Sequence, residues 1–155
     1  WRAGTLGKFT KLTEYIEKYL RPTDEMLKDP KTKAFCTRMQ LMVAAYGLKA
    51  VGEHDSHCID VVKRAPNGPM EIRVAPDGPV VHIVKEGGTI TPVKGPANDP
   101  MVTMQINGMD LAYDMLNGNV DFMEALGLCR IQLFGHIGMA EDLALVLESI
   151  AKYLE

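Results

Sequence analysis

Apolar positions in the first fifty residues recur at helical intervals. Phe9, Leu12, Ile16, Tyr19 and Leu20 fall on one side of a helix, and Glu14 and Lys18 are spaced to pair at i,i+4 on the other. The stretch "RPTDEM", Arg21 to Met26, reads as a break and restart, with Thr23 available as a cap. Asp29 followed by Pro30 is a second start signal. The carboxylate can accept orphan N–H bonds, and proline suits the first helical position. Beyond it Phe35, Met39, Met42, Tyr46 and the stem of Lys49 share a face, and Gly52 is the predicted stop. Residues 1–52 are expected to be helical.

After Gly52 the period changes to alternation. "HCIDVVKRA", "MEIRV" and "VVHIV" are rich in β-branched residues. Turn signals follow in order: "PNG" at Pro66–Gly68, "PDG" at Pro76–Gly78 and "EGG" at Glu86–Gly88. The pattern predicts a meander of short antiparallel strands across 53–106. "TITPV" forms an edge or broken strand because Pro92 cannot donate to a ladder. "GPANDP", Gly95 to Pro100, is a loop.

In the last third "VTMQI" reads as a strand with Val102, Met104 and Ile106 on one face. "MDLAYDML" is a helix started by Asn107 or Asp110 and stopped by "NGN" at Asn117–Asn119. "VDFMEALG" is a second short helix. "CRIQLFG" is a strand, with Ile131 and Leu133 facing one way and Arg130 and Gln132 the other. From about Met139 the chain closes with a helix whose stripe is Met139, Leu143, Val146 or Leu147, Ile150 and Leu154.

Length and composition add bounds. At 155 residues the chain is read as one domain, with 46% hydrophobic and 24% charged residues, both ordinary for a globular protein. A net charge of −3 supplies no general attraction to nucleic acid or to an anionic membrane. No apolar run approaches the roughly 20 residues of a transmembrane helix, and "WRAGTLGKFTKL" lacks the apolar centre of a secretory signal. An opening on Trp1 rather than Met is what a segment of a longer polypeptide would show. Cys36, Cys58 and Cys129 are odd in number, far apart and without a CxxC pair, which fits a reducing, cytoplasmic setting.

Chemistry is sparse. "GEHDSHCID", residues 52–60, gathers His54, Asp55, His57, Cys58 and Asp60, the types that bind zinc or carry protons. If Cys58 begins a strand, however, His57 and Cys58 point to opposite faces. His82 and His136 stand alone and supply no second cluster. The expected role is a solvated helix-to-strand turn, with no metal ligands. "LFGHIGMAEDLA" has two of the three glycines of a dinucleotide fingerprint, no following parallel strand and no acidic ribose partner, so it reads as a tight helix entry. Ser56 and Ser149 are the only serines, and neither lies in GxSxG. No catalytic set emerges, and no cofactor is expected. Ten methionines, six of them from Met101 onward, suit either core or an adaptable apolar pocket.

The stretch from Asn98 to Ile150 resembles the sterol carrier protein type 2 family of nonspecific lipid-transfer domains. The shared pattern is Asp99-Pro100, the Val102/Met104/Ile106 strand, a helix opening at Met109-Asp110-Leu111 and closed by Gly118, a short helix like the family's "AFMSG" region, a strand from Arg130 to Gly135, and an amphipathic helix from Met139. "ALGLC", Ala125 to Cys129, departs from the family's small residue-glycine pair before the last strand, and the chain ends "YLE" rather than in a peroxisomal tripeptide. The resemblance implies an α/β fold, a five-stranded mostly antiparallel sheet covered on one face by helices, with an apolar cavity between them. It implies a ligand such as a fatty acid, acyl-CoA or sterol, and no catalytic residues. The wall expected from face and family position is Met104, Ile106, Leu111, Met115, Phe122, Met123, Leu126, Ile131, Leu133, Met139, Leu143 and Leu147.

Two other functions fit the same residues. One is a non-catalytic interaction or dimerisation module of this fold with a filled core, its N-terminal helices docking on a partner. The other is an enzyme built on His54, Asp55, His57 and Cys58, which predicts bound metal or a reactive thiol.

Overall fold

In the computed structural model, residues 2–154 are described in backbone and residues 7–150 in side chains. Four helices come first: α1 (Arg2–Leu20), α2 (Asp24–Leu27), α3 (Pro30–His54) and α4 (Ser56–Arg64). Asp29 starts α3 as its spacing predicts, accepting from the N–H groups of Lys31 and Thr32, with Pro30 at the first position. Thr23 precedes α2 without a side-chain cap bond.

Two expectations in this region fail. Gly52 does not stop α3, which runs to His54. A Cβ at Gly52 would lie 2.9 Å from Ile90 and 3.0 Å from Val62, so glycine is there for close approach rather than for a turn. The buried face of α3 is Leu41, Ala45, Leu48 and Gly52, whereas Phe35 and Tyr46 are exposed. The second failure is "HCIDVVKRA", which forms α4 instead of a strand. Asp55 accepts from the His57 and Cys58 N–H groups and caps the helix, and Cys58 and Val62 bury one face at i,i+4.

The sheet follows: β1 (Gly68–Ala75), β2 (Val80–Glu86), β3 (Thr89–Lys94), β4 (Val102–Asn107), then α5 (Met109–Leu116), α6 (Phe122–Gly127), β5 (Ile131–Gly135) and α7 (Ile137–Leu154). Strand order is β3-β2-β1-β4-β5. β1–β2, β2–β3 and β4–β5 pair antiparallel, while β4 lies parallel to β1, with Met70 opposite Val102 and Val74 opposite Ile106. The "PDG" and "EGG" turns join the meander as expected, and Pro92 sits in the edge strand β3.

Period-2 alternation sends Met70, Val74, Val81, Ile83, Val102, Met104, Ile106 and Ile131 to one buried face. On that face lie α3, α5 and α7, and the stripe Met139, Leu143 and Val146 of α7 closes the core. Leu154 lies outside the described side chains. On the other face Glu71 is fully buried beneath the β3–β4 loop, bonded to Arg73 and to the Ala97 N–H (2.8 Å). Lys85, on the helix-facing side with Val81 and Ile83, is buried as well, its ammonium satisfied by the Ala65 carbonyl and Asn67 Oδ1.

Candidate ligand-binding site

The twelve residues expected to form a wall divide into three groups. Met104, Ile106, Leu111, Ile131, Met139 and Leu143 are brought together between sheet and helices, at 6% exposure or less, as members of one closed core. Met115, Phe122, Leu126, Leu133 and Leu147 are half-buried and pack against that core from α5, α6, β5 and α7. Met123 is 73% exposed on α6. The five half-buried residues form an apolar rim to the core.

Local chemistry explains the rim's position. α6 is held by Asp121, which accepts from the Glu124 N–H at 2.9 Å. After it the chain turns through Cys129, whose φ of 53° is unusual for a side chain with a Cβ. Asn107 donates to the Cys129 carbonyl at 2.9 Å, tying this turn to the end of β4. Gly135 ends β5 at φ 95°, where a Cβ would lie 2.1 Å from the Met101 carbonyl oxygen. Only glycine fits so close to that backbone.

A second feature was not anticipated from the sequence. A pocket of about 290 Å³ opens between one turn of α3 (Arg38, Leu41, Met42), the Gly78–Val80 segment before β2, and Lys94–Pro96 at the end of β3. None of the twelve residues lines it. Its framework is bonded: the Gly95 N–H donates to the Val80 carbonyl at 3.0 Å, and the Gly95 carbonyl lies 2.8 Å from His82 Nδ1. The i, i+3, i+4 spacing of Arg38, Leu41 and Met42 is the one signal that could have pointed to it, since it places them on one helix face.

The "GEHDSHCID" residues are not assembled as a site. His54 ends α3 with Nδ1 3.0 Å from the Ala50 carbonyl, Asp55 caps α4, His57 is exposed and Cys58 is buried. Among the described residues no three His, Cys, Asp or Glu side chains converge to hold a metal. Burial pushes the Cys36 thiol up, so it stays protonated at neutral pH. No described helix is long and apolar enough to cross a membrane.

No family model matches the sequence, and no curated protein matches it. Solved structures do. The sterol carrier protein domain 2 of Helicoverpa armigera superposes with a TM-score of 0.55 at 19% identity, covering 73% of this chain and 89% of that one. A UbiJ-SCP2 ubiquinone synthesis protein gives 0.56 at 10% identity, covering 75% and 98%. A crystal structure of sterol carrier protein 2 gives 0.51 at 16% identity, covering 72% and 92%. The chain is an α/β domain with helices over one face of a mixed five-stranded sheet. Its fold is that of the sterol carrier protein 2 domains, in agreement with the resemblance carried by residues 98–150.

Proposed function

We propose that the protein binds an apolar small molecule of the fatty acyl, acyl-CoA or sterol-like kind. It acts as a carrier or a presenting domain and does no chemistry of its own. The binding region is the space between the sheet and α5–α7. The observation that supports it is the half-buried rim of Met115, Phe122, Leu126, Leu133 and Leu147 over a continuous apolar core. Ligand surface removed from water there contributes roughly 25 cal/mol per Å². The flexible Met104, Met115 and Met139 can repack around ligands of different shape. The fold shared with structures named as sterol carriers supports the same reading.

The test is mass spectrometry of the purified protein, native and then solvent-extracted. A reproducible bound lipid near one per chain is expected, and Leu133→Arg or Met115→Arg should abolish uptake. Retained uptake in either folded variant would count against this wall. The closure of the core around Met104, Ile106, Met139 and Leu143 favours a second reading, an interaction module with a filled interior. That reading predicts an apo mass unchanged by fatty acids, sterols and acyl-CoA.

A further inference from the structure

The pocket beside α3 has its own chemistry. Its floor and sides are apolar: Leu41 and Pro79 are buried, and Met42 is half-buried. Two cations stand at its edge, Arg38 on α3 and Lys94 on β3, both exposed. The sheet register puts Lys94 opposite Val81, on the helix-facing side, so the pocket lies between the two basic residues rather than behind them. No carboxylate belongs to the lining. Among the described residues, neither cation is engaged in an ion pair, whereas Lys28, Lys33, Lys49, Arg64 and Arg73 all are. A concave apolar surface edged by two unpaired cations is complementary to an anion with a short apolar tail.

We propose that this pocket binds a medium-chain carboxylate, with its head between Arg38 and Lys94 and its chain over Leu41, Met42 and Pro79. Arg38 presents a planar fork that matches a carboxylate bidentately, and Lys94 adds a point charge from the other wall. Size sets the chain. At about 290 Å³ the pocket is of a size for a short acyl chain and too small for a whole sterol. The site shares no residue with the half-buried rim, so it goes beyond the proposed interior binding and can succeed or fail separately.

Titration of the isotope-labelled protein with octanoate, followed by amide shifts, tests it. Saturable shifts are expected at residues 38–42, 78–80 and 94–96. Octanol, with the same chain and no charge, should bind at least tenfold more weakly, and octyl phosphate should compete for the same amides. Inorganic phosphate alone should be far weaker than either anion, because it lacks the chain. Arg38→Gln and Lys94→Gln, both at exposed positions that leave the core untouched, should each weaken octanoate about tenfold. Leu133→Arg should leave this binding unchanged while removing any binding at the rim. Octanoate shifts confined to β5 and α7, or equal affinity for octanol and for the double glutamine variant, would overturn the proposal.

Discussion

Two amphipathic helices at opposite ends of the chain meet different fates. The α7 stripe of Met139, Leu143 and Val146 is fully buried. The α1 stripe lies in water, with Phe9 67% and Leu12 56% exposed. The difference comes from what each helix is given to lie against. α7 is received by two glycines of α3: a Cβ at Gly47 would lie 3.0 Å from Ile150, and one at Gly52 3.5 Å from Val146. The helices approach closely because α3 has no side chain at those points. α1 touches the body at its last turn, where Tyr19 packs edge-on to Phe35 with ring centres 4.9 Å apart and the Leu20 carbonyl accepts from Gln40 at 3.1 Å. An apolar stripe makes a helix amphipathic, but only a complementary surface makes it part of a core.

Substitutions can break or sharpen that contrast. Leu143→Ala should have the largest effect, a loss of about 2–5 kcal/mol in urea unfolding, since the buried side chain leaves a cavity. Gly52→Leu should cost about 1–3 kcal/mol by wedging α3 away from Ile90, Val62 and α7. Glu53, the next residue, joins α3 to β3: it accepts from the Ile90 N–H at 2.8 Å and from Lys49 at 2.7 Å. Those bonds hold its carboxyl below the usual range, the Ile90 N–H contributing most. A lowered folded-state pKa gives stability that is present above about pH 4.3 and lost as pH falls further. Glu53→Gln should therefore cost about 1 kcal/mol at pH 7, and the gap to the parent should close toward pH 3. Leu12→Ala on α1 should change stability by less than about 0.5 kcal/mol. A loss near that of Leu143→Ala would mean that α1 is packed in solution.

What could be read in advance follows from how local each signal is. The "PDG" and "EGG" turns, the strands they join and the Asp29-Pro30 start depend on neighbouring residues and stand in the structure as expected, whereas "PNG" lies between α4 and β1 and joins no two strands. α4 departs from the strand expected there, which rested on the β-branched preference of Ile59, Val61 and Val62. Asp55 as cap and Cys58, Val62 and Ala65 at helical spacing outweigh it once that face is buried. The same locality limits the site. The order of residues places Met104, Ile106 and Ile131 on one sheet face, but nothing in it tells a closed core from a vacant one. Solvent claims Met123 because α6 is a single short element with one buried residue, Ala125. The pocket between Arg38 and Lys94 needs α3 laid across the ends of β2 and β3, an arrangement created by tertiary packing alone.

The parallel pairing of β4 with β1 also governs how the molecule is assembled. β1, β2 and β3 join through tight turns, so their pairing closes only short loops. β4 must leave the far edge at β3, pass over Glu71 and find the opposite side of β1. Closing that longer loop carries more entropy, and its reward comes only when Met70 meets Val102. In a folding experiment the meander is expected to form early and the arrival of β4 to be the slow event. The rim-bearing elements α5, α6, β5 and α7 all follow β4 in the chain, so they are expected to gain their seat on the sheet last.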